Sequence, residues 1–84
     1  MDKQLYMAIE ALVKHEATNA MQVFPKFNSE HEGFAVLKEE VDELWEAIRL
    51  KQSNPKRGKQ MKKEAIQVAA MAMRFLHDRI NSFE

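Results

Sequence analysis

The chain has 84 residues, with 13 basic and 13 acidic side chains, so its formal net charge at neutral pH is zero. A balanced charge gives no overall field that would draw the chain to nucleic acid or to an anionic membrane, and neither partner is expected. The lack of cysteine excludes disulfides and thiolate metal sites. The length predicts one domain, residues 1–84. No run approaches the roughly 20 apolar residues that cross a bilayer, so we expect this domain to be cytoplasmic.

The first predicted helix covers about residues 2–22. It ends before Pro25, which cannot continue a helix and restricts the residue before it. Glu16 projects into the apolar stripe of this helix and Asn19 lies at its edge, so each should have a partner inside the bundle or face a cavity. The expected core stripe consists of Leu5, Ala8, Ile9, Leu12, Ala20 and Val23.

The second predicted helix covers about residues 29–51. Ser29 is its expected N-cap, and Glu32 three residues later completes a capping box. Glu40 lies between an apolar and an acidic face, and Trp45 is expected in the core rather than as a base-stacking platform. The apolar face contains Phe34, Leu37, Val41, Leu44, Trp45 and Ile48, and the acidic face contains Glu32, Glu39, Glu43 and Glu46.

The third predicted helix covers about residues 59–82, after a polar break at residues 53–58. Apolar side chains surround almost its whole circumference, which is typical of a buried helix. Two other helices cannot cover every side of it. We therefore expect an all-α fold, a three-helix bundle completed by dimerisation or tetramerisation. The narrow polar strip contains Lys63, Glu64, Gln67, Arg74 and Asp78.

Four carboxylates of the second and third helices form a candidate metal site: Glu39, Glu40, Glu43 and Glu64. Residues three or four apart on a helix are neighbours, and crowded oxygen ligands suit Mg²⁺. Taken alone, the spacing is more typical of a solvated acidic face than of a metal site. The histidines show no ligand spacing, so a histidine metal site is not expected.

The second and third helices resemble MazG-like proteins of phages and bacteria. In that family Glu-x-x-Glu on one helix precedes Glu-x-x-Asp on the next, and here Glu40–Glu43 and Glu64–Gln67 occupy these places. The flanking residues 27–40 and 67–75 add to the resemblance. It implies an all-α oligomer with sites formed by more than one chain. It also implies hydrolysis of a nucleoside triphosphate to monophosphate and pyrophosphate, dependent on Mg²⁺ or Mn²⁺.

The resemblance implies metal ligation by Glu40, Glu43 and Glu64, with Glu39 and Glu43 as catalytic carboxylates and Glu39 orienting the water. Gln67 stands where the family has aspartate and would offer only an amide oxygen. We further expect Arg74 to neutralise a carboxylate or bind a phosphate, with Glu16 as its structural partner. The expected substrate-binding residues are Arg74, Lys63, Asp78, Glu16 and Asn19.

Two alternatives to an enzyme stay open from the sequence. One is a catalytically degenerate oligomer that binds nucleotides or proteins, which Gln67 favours. The other is a purely structural helical assembly. A basic run between Arg49 and Lys63 could attract phosphates, although such runs are more often solvated loops.

Overall fold

The computed structural model describes residues 1–80, which form three helices and no strand. The helices are α1 (Lys3–Val23), α2 (Glu30–Ile48) and α3 (Arg57–Arg79). The predicted all-α, three-helix organisation is confirmed. Helix α3 starts two residues before its predicted start and ends at Arg79, with Ile80 as its C-cap. The predicted end at residue 82 lies outside the described residues.

Local capping explains where α1 and α2 begin. The Asp2 carboxylate accepts a hydrogen bond from Leu5 N at 3.0 Å, and Ser29 Oγ accepts from Glu32 N at 3.0 Å. The predicted N-cap Ser29 is confirmed. The predicted return contact, from the Glu32 carboxylate to the backbone N–H of Ser29, is wrong. The Glu32 carboxylate accepts from the backbone and side-chain nitrogens of Asn28, at 3.2 and 3.1 Å, so it closes the preceding loop instead.

Helix α3 is the central element, because α1 and α2 pack against it and, within residues 1–80, not against each other. Helix α1 meets α3 where Ala17 and Ala70 are buried beside Met71. Small side chains at a crossing let two helices approach closely. Helix α2 approaches α3 through Gly33 and Ala47, which are both buried. The two outer helices therefore form the walls of a cleft with α3 as its floor.

The predicted core stripes of α1 and α2 are largely wrong for the single chain. Every residue from 1 to 12 is exposed, and Trp45 is 56 % exposed on the outer side of α2. The side of α2 that faces α3 is instead rotated toward Gly33, Glu40 and Ala47, because small residues permit the close contact. We call the exposed apolar stripe of α2 the outer face; it consists of Phe34, Val41, Trp45 and Ile48.

The third helix is also less enclosed than predicted. Ala70 and Met71 are buried against α1, whereas Met73 and Leu76 are 40 % and 45 % exposed. Among the described residues, no helix combines the length and the apolar character that a membrane crossing needs.

Candidate metal centre

Three of the four predicted carboxylates come together between α2 and α3. Glu40 and Glu43 lie one turn apart on α2 and face Glu64 on α3. Each of the three offers a carboxylate oxygen, and these oxygens lie within 4.8 Å of one another. We call this group the carboxylate cluster. Glu39 is exposed on α2 and is not part of it.

Burial and the neighbouring Glu43 carboxylate make Glu40 and Glu64 costly to ionise. Glu64 is only 8 % exposed, and burial, then the neighbouring Glu43 carboxylate, raises its pKa. Burial, followed by the negative charge of Glu43, raises the pKa of Glu40 to about 7. Buried carboxyl groups of like charge favour their protonated forms unless a cation lies between them.

One oxygen of the carboxylate cluster has no partner within the described chain. Glu64 Oε2 is fully buried, and when the three carboxylates are ionised it has no hydrogen-bond donor there. A buried polar atom without a partner requires an explanation, such as an ion. A hard divalent cation takes several oxygen ligands, at least some of them carboxylate. The donor set of Glu40, Glu43 and Glu64 therefore fits such a cation.

The carboxylate cluster borders a cleft of about 590 Å³, which we call the main cleft. Helix α1 forms one wall, α2 the other, and α3 the floor. The loop between α1 and α2 closes the end away from Glu40. Its lining consists of Glu16, Asn19, Ala20, Val23, Phe24, Pro25, Phe27, Glu32, Val36, Glu40, Gln67, Met71 and Arg74. This volume lies within the range of small-molecule sites.

A smaller cavity of about 340 Å³ lies on the other side of the carboxylate cluster. Its lining includes Glu43 and Glu64 together with Lys56 and Gln60. The carboxylate cluster therefore lies between two cavities. Glu40 lines the main cleft, and Glu43 and Glu64 line the smaller cavity, which also carries a lysine.

Gln67, on the floor of the main cleft, binds Glu16 from the α1 wall. Its Nε2 donates to Glu16 Oε2 at 3.0 Å, so Glu16 has the partner inside the bundle that its place in an apolar stripe required. Gln67 lies one turn from Glu64 on α3. Asn19 is exposed at the edge of the cleft, with its amide 3.2 Å from His15 Nε2.

Arg74 fixes the closed end of the main cleft. It is 6 % exposed, donates to Pro25 O at 3.0 Å and lies 3.6 Å from Asp78. The predicted pair with Glu16 is wrong, because Arg74 lies two turns beyond Gln67 and meets the loop after α1. Its guanidinium group lies over the ring of Phe27, 4.0 Å from the centroid.

Asp78 holds the same loop from α3. Its carboxylate accepts from Phe27 N at 3.1 Å and lies 2.7 Å from His77 Nδ1. Burial alone would raise the pKa of Asp78, but the hydrogen bonds from His77 and Phe27 and the charge of Arg74 together lower it. Arg74 and Asp78 therefore act on each other and on the loop. Lys63 is exposed beside Glu64.

Sequence reasoning missed the aromatic residues at this end, Phe24 and Phe27. The available signal was the Phe-Pro-Lys-Phe run directly after α1. Its significance depends on Arg74, which is about fifty residues away along the chain and lies between the two rings and Asp78 only in the folded protein.

No protein-family model, curated protein or solved structure matches the chain. What the fold and the site define is an all-α protein with a candidate carboxylate metal centre at one end of an interhelical cleft.

Proposed function

We propose that this protein is a Mg²⁺-dependent nucleoside triphosphate pyrophosphohydrolase that also accepts Mn²⁺. The observation that carries the proposal is the convergence of Glu40, Glu43 and Glu64, with a buried oxygen of Glu64 left without a partner. A divalent cation between the three carboxylates would remove their mutual repulsion and give the buried oxygen a partner. A site for a cation that also binds a polyphosphate explains them.

The three carboxylates would hold the divalent ion, which when bound supplies charge neutralisation and polarises the α-phosphorus. Water forms a bond to that phosphorus while the bond to the bridging oxygen breaks, and pyrophosphate leaves. Glu39 would orient the water and accept its proton, and Lys63 would face the outer phosphates. The main cleft is large enough for the nucleoside.

The matched pair Glu43→Gln and Asp42→Asn tests this function. Asp42 is the neighbouring exposed carboxylate, and within residues 1–80 it pairs only with Lys38, at 3.0 Å. We expect the unmodified protein to release pyrophosphate from a nucleoside triphosphate only when Mg²⁺ or Mn²⁺ is present. Glu43→Gln should reduce the rate at least about 100-fold, the scale of a lost catalytic group, while Asp42→Asn retains it. No pyrophosphate release from any common nucleotide contradicts the proposal.

The proposed enzyme is a homo-oligomer, either a dimer or a tetramer. The chain exposes 6706 Å², whereas a compact monomer of 9.8 kDa exposes about 5,200 Å² by the usual scaling of surface with mass. The difference exceeds the roughly 800 Å² per partner of a standard interface. The outer face of α2 supplies apolar area for a second copy.

A second candidate function is nucleotide binding without turnover, by this chain alone or with a partner protein. It is favoured by the contact between Gln67 and Glu16, since the amide holds a side chain of the cleft and adds no charge to the carboxylate cluster. Calorimetry with Mg²⁺ and nucleotides separates the two functions, because only the enzyme consumes its ligand. Under this second function Gln67→Asp should add the missing charge and create turnover.

A further inference from the structure

The main cleft has two chemically different ends. Its floor runs along α3 from Gln67 to Arg74, which is about 10 Å of helix, and its α2 wall runs from Glu40 to Glu32, about 12 Å. The Glu40 end adjoins the carboxylate cluster, and the other end is formed by aromatic residues. A nucleotide with its phosphates at the cluster has its sugar in the middle and its base toward the aromatic end.

Phe24 presents an aromatic ring at that end. It lines the main cleft and is 56 % exposed. Its backbone N–H donates to Ala20 O at 2.9 Å, and Pro25 follows it with a fixed φ. The guanidinium group of Arg74 lies 5.4 Å from the ring centroid. The backbone of Phe24 is therefore anchored, and its ring contacts Arg74 before any ligand arrives.

The charges that line the cleft near Phe24 do not favour a phosphate at this end. Arg74 is the only cation that lines the described cleft. It is buried, lies 3.6 Å from Asp78 and donates a hydrogen bond to Pro25 O. Glu16 and Glu32 add negative charge along the walls. An exposed aromatic surface in an anionic cleft suits a neutral flat ring, and every nucleobase has such a face.

We infer that the Phe24 end of the main cleft is a nucleobase subsite in which the Phe24 ring stacks on the base. This assignment rests on the proposed function. Arg74 acts as a positioning residue there, because it holds the loop that carries Phe24 and reaches the base only through that ring. Stacking of this kind tolerates different bases, so the subsite distinguishes nucleotides from bare polyphosphate more strongly than it distinguishes one base from another.

Binding measurements on Phe24→Ala and Tyr6→Ala test the subsite. Tyr6 is a similarly exposed aromatic residue, 50 % accessible, on the far part of α1. The probes are an α,β-imido nucleoside triphosphate, inorganic tripolyphosphate and Mn²⁺ alone, measured by calorimetry. We expect Phe24→Ala to weaken nucleotide binding roughly 5- to 150-fold and to leave tripolyphosphate and Mn²⁺ affinities unchanged. Tyr6→Ala should bind all three probes normally, and Phe24→Trp should restore nucleotide binding.

Three results overturn the subsite. They are an unchanged nucleotide affinity in Phe24→Ala, an equal loss of tripolyphosphate affinity, and an unmodified protein that binds nucleotide no better than tripolyphosphate. In each case the unmodified protein still binds Mn²⁺ and polyphosphate, so the proposed function stands. A protein that binds neither Mn²⁺ nor any of the phosphate compounds overturns both. Nucleotide binding that depends on Phe24 without any hydrolysis supports the subsite and contradicts only the hydrolytic activity.

Discussion

The pKa values of Glu40 and Glu64 are raised because both side chains are packed between two helices and face another carboxylate. In the unfolded chain each would have the ordinary carboxyl pKa of 4.5, and in the folded chain the pKa of Glu40 is about 7. The folded protein therefore binds more protons than the unfolded chain between these values. By linkage, its stability falls as the pH rises through that interval.

The metal-free protein should accordingly have a lower free energy of unfolding at pH 8 than at pH 5. Urea denaturation with a chelator present measures this difference, and Glu40→Gln should reduce it. Addition of Mg²⁺ should raise stability more at pH 8, because protons compete with the ion at pH 5. The lowered pKa values of Glu30 and Asp78 reduce stability as the pH falls through their ordinary values of 4.5 and 3.8, so they affect at most the acidic edge of this window. A free energy of unfolding that increases from pH 5 to pH 8 without metal would contradict the raised pKa values of Glu40 and Glu64.

Arg74 and Asp78 form a buried pair whose loss should be costly. Their side chains are 8 % and 2 % exposed. Arg74→Met leaves a buried carboxylate without its cation, for which we expect a loss of roughly 3–5 kcal/mol in urea denaturation. Lys38→Met is the matched control, since Lys38 and Asp42 have the same spacing on an exposed surface and should contribute about 1 kcal/mol or less. Similar losses in the two variants would show that Arg74 does not hold the loop.

At the scale of the helix, local signals predict the secondary structure well and the packed face poorly. Ser29 and Pro25 mark boundaries through backbone chemistry that involves only a few neighbouring residues. The face of α2 that meets α3 depends instead on how closely two helices approach. Gly33 and Ala47 permit that approach, so the larger Trp45 remains outside although it dominates the apolar pattern.

Gly33 and Gly58 form a matched test of helix packing. A Cβ at Gly33 would lie 2.6 Å from Phe75 Cδ2 and 3.1 Å from Phe27 Cδ2, whereas one at Gly58 meets nothing within 4 Å. Replacing a helical glycine by alanine usually stabilises by about 0.5–1 kcal/mol. Gly58→Ala should show that gain in thermal denaturation. Gly33→Ala should lose about 1–2 kcal/mol instead, because overpacking outweighs the gain. A stabilised Gly33→Ala would show that α2 and α3 are further apart.

At the scale of the molecule, the sequence identified the three residues of the carboxylate cluster but not the arrangement of the cleft. Glu40 and Glu43 are one turn apart on α2, and a single short linker leads to the helix that carries Glu64. Few arrangements of the two helices would therefore keep Glu64 away from the other two carboxylates. The contact of Arg74 with Pro25 joins residues 49 positions apart. No periodicity within one helix reports such a contact, and the residues of the closed end were therefore not predicted as a group.

The outer face of α2 should be covered by a second copy of the chain in solution. Trp45→Lys places a charge in that face, and we expect it to shift the sedimentation coefficient from that of a dimer or tetramer to that of a monomer. Gln52→Lys, which adds the same charge at an exposed turn, should sediment like the unmodified protein. A monomeric unmodified protein at micromolar concentration would contradict the proposed oligomer.

The exposed first part of α1 has a consequence for local stability. Residues 3–12 belong to a helix, yet none of their side chains is buried in the single chain. Helical segments of this length are marginal in water unless another surface packs against them. Their amide hydrogens should therefore exchange with deuterium much faster than those of α3, and should slow as protein concentration increases if association covers them. Protection of these amides would thus report, residue by residue, whether the neighbouring chain has docked.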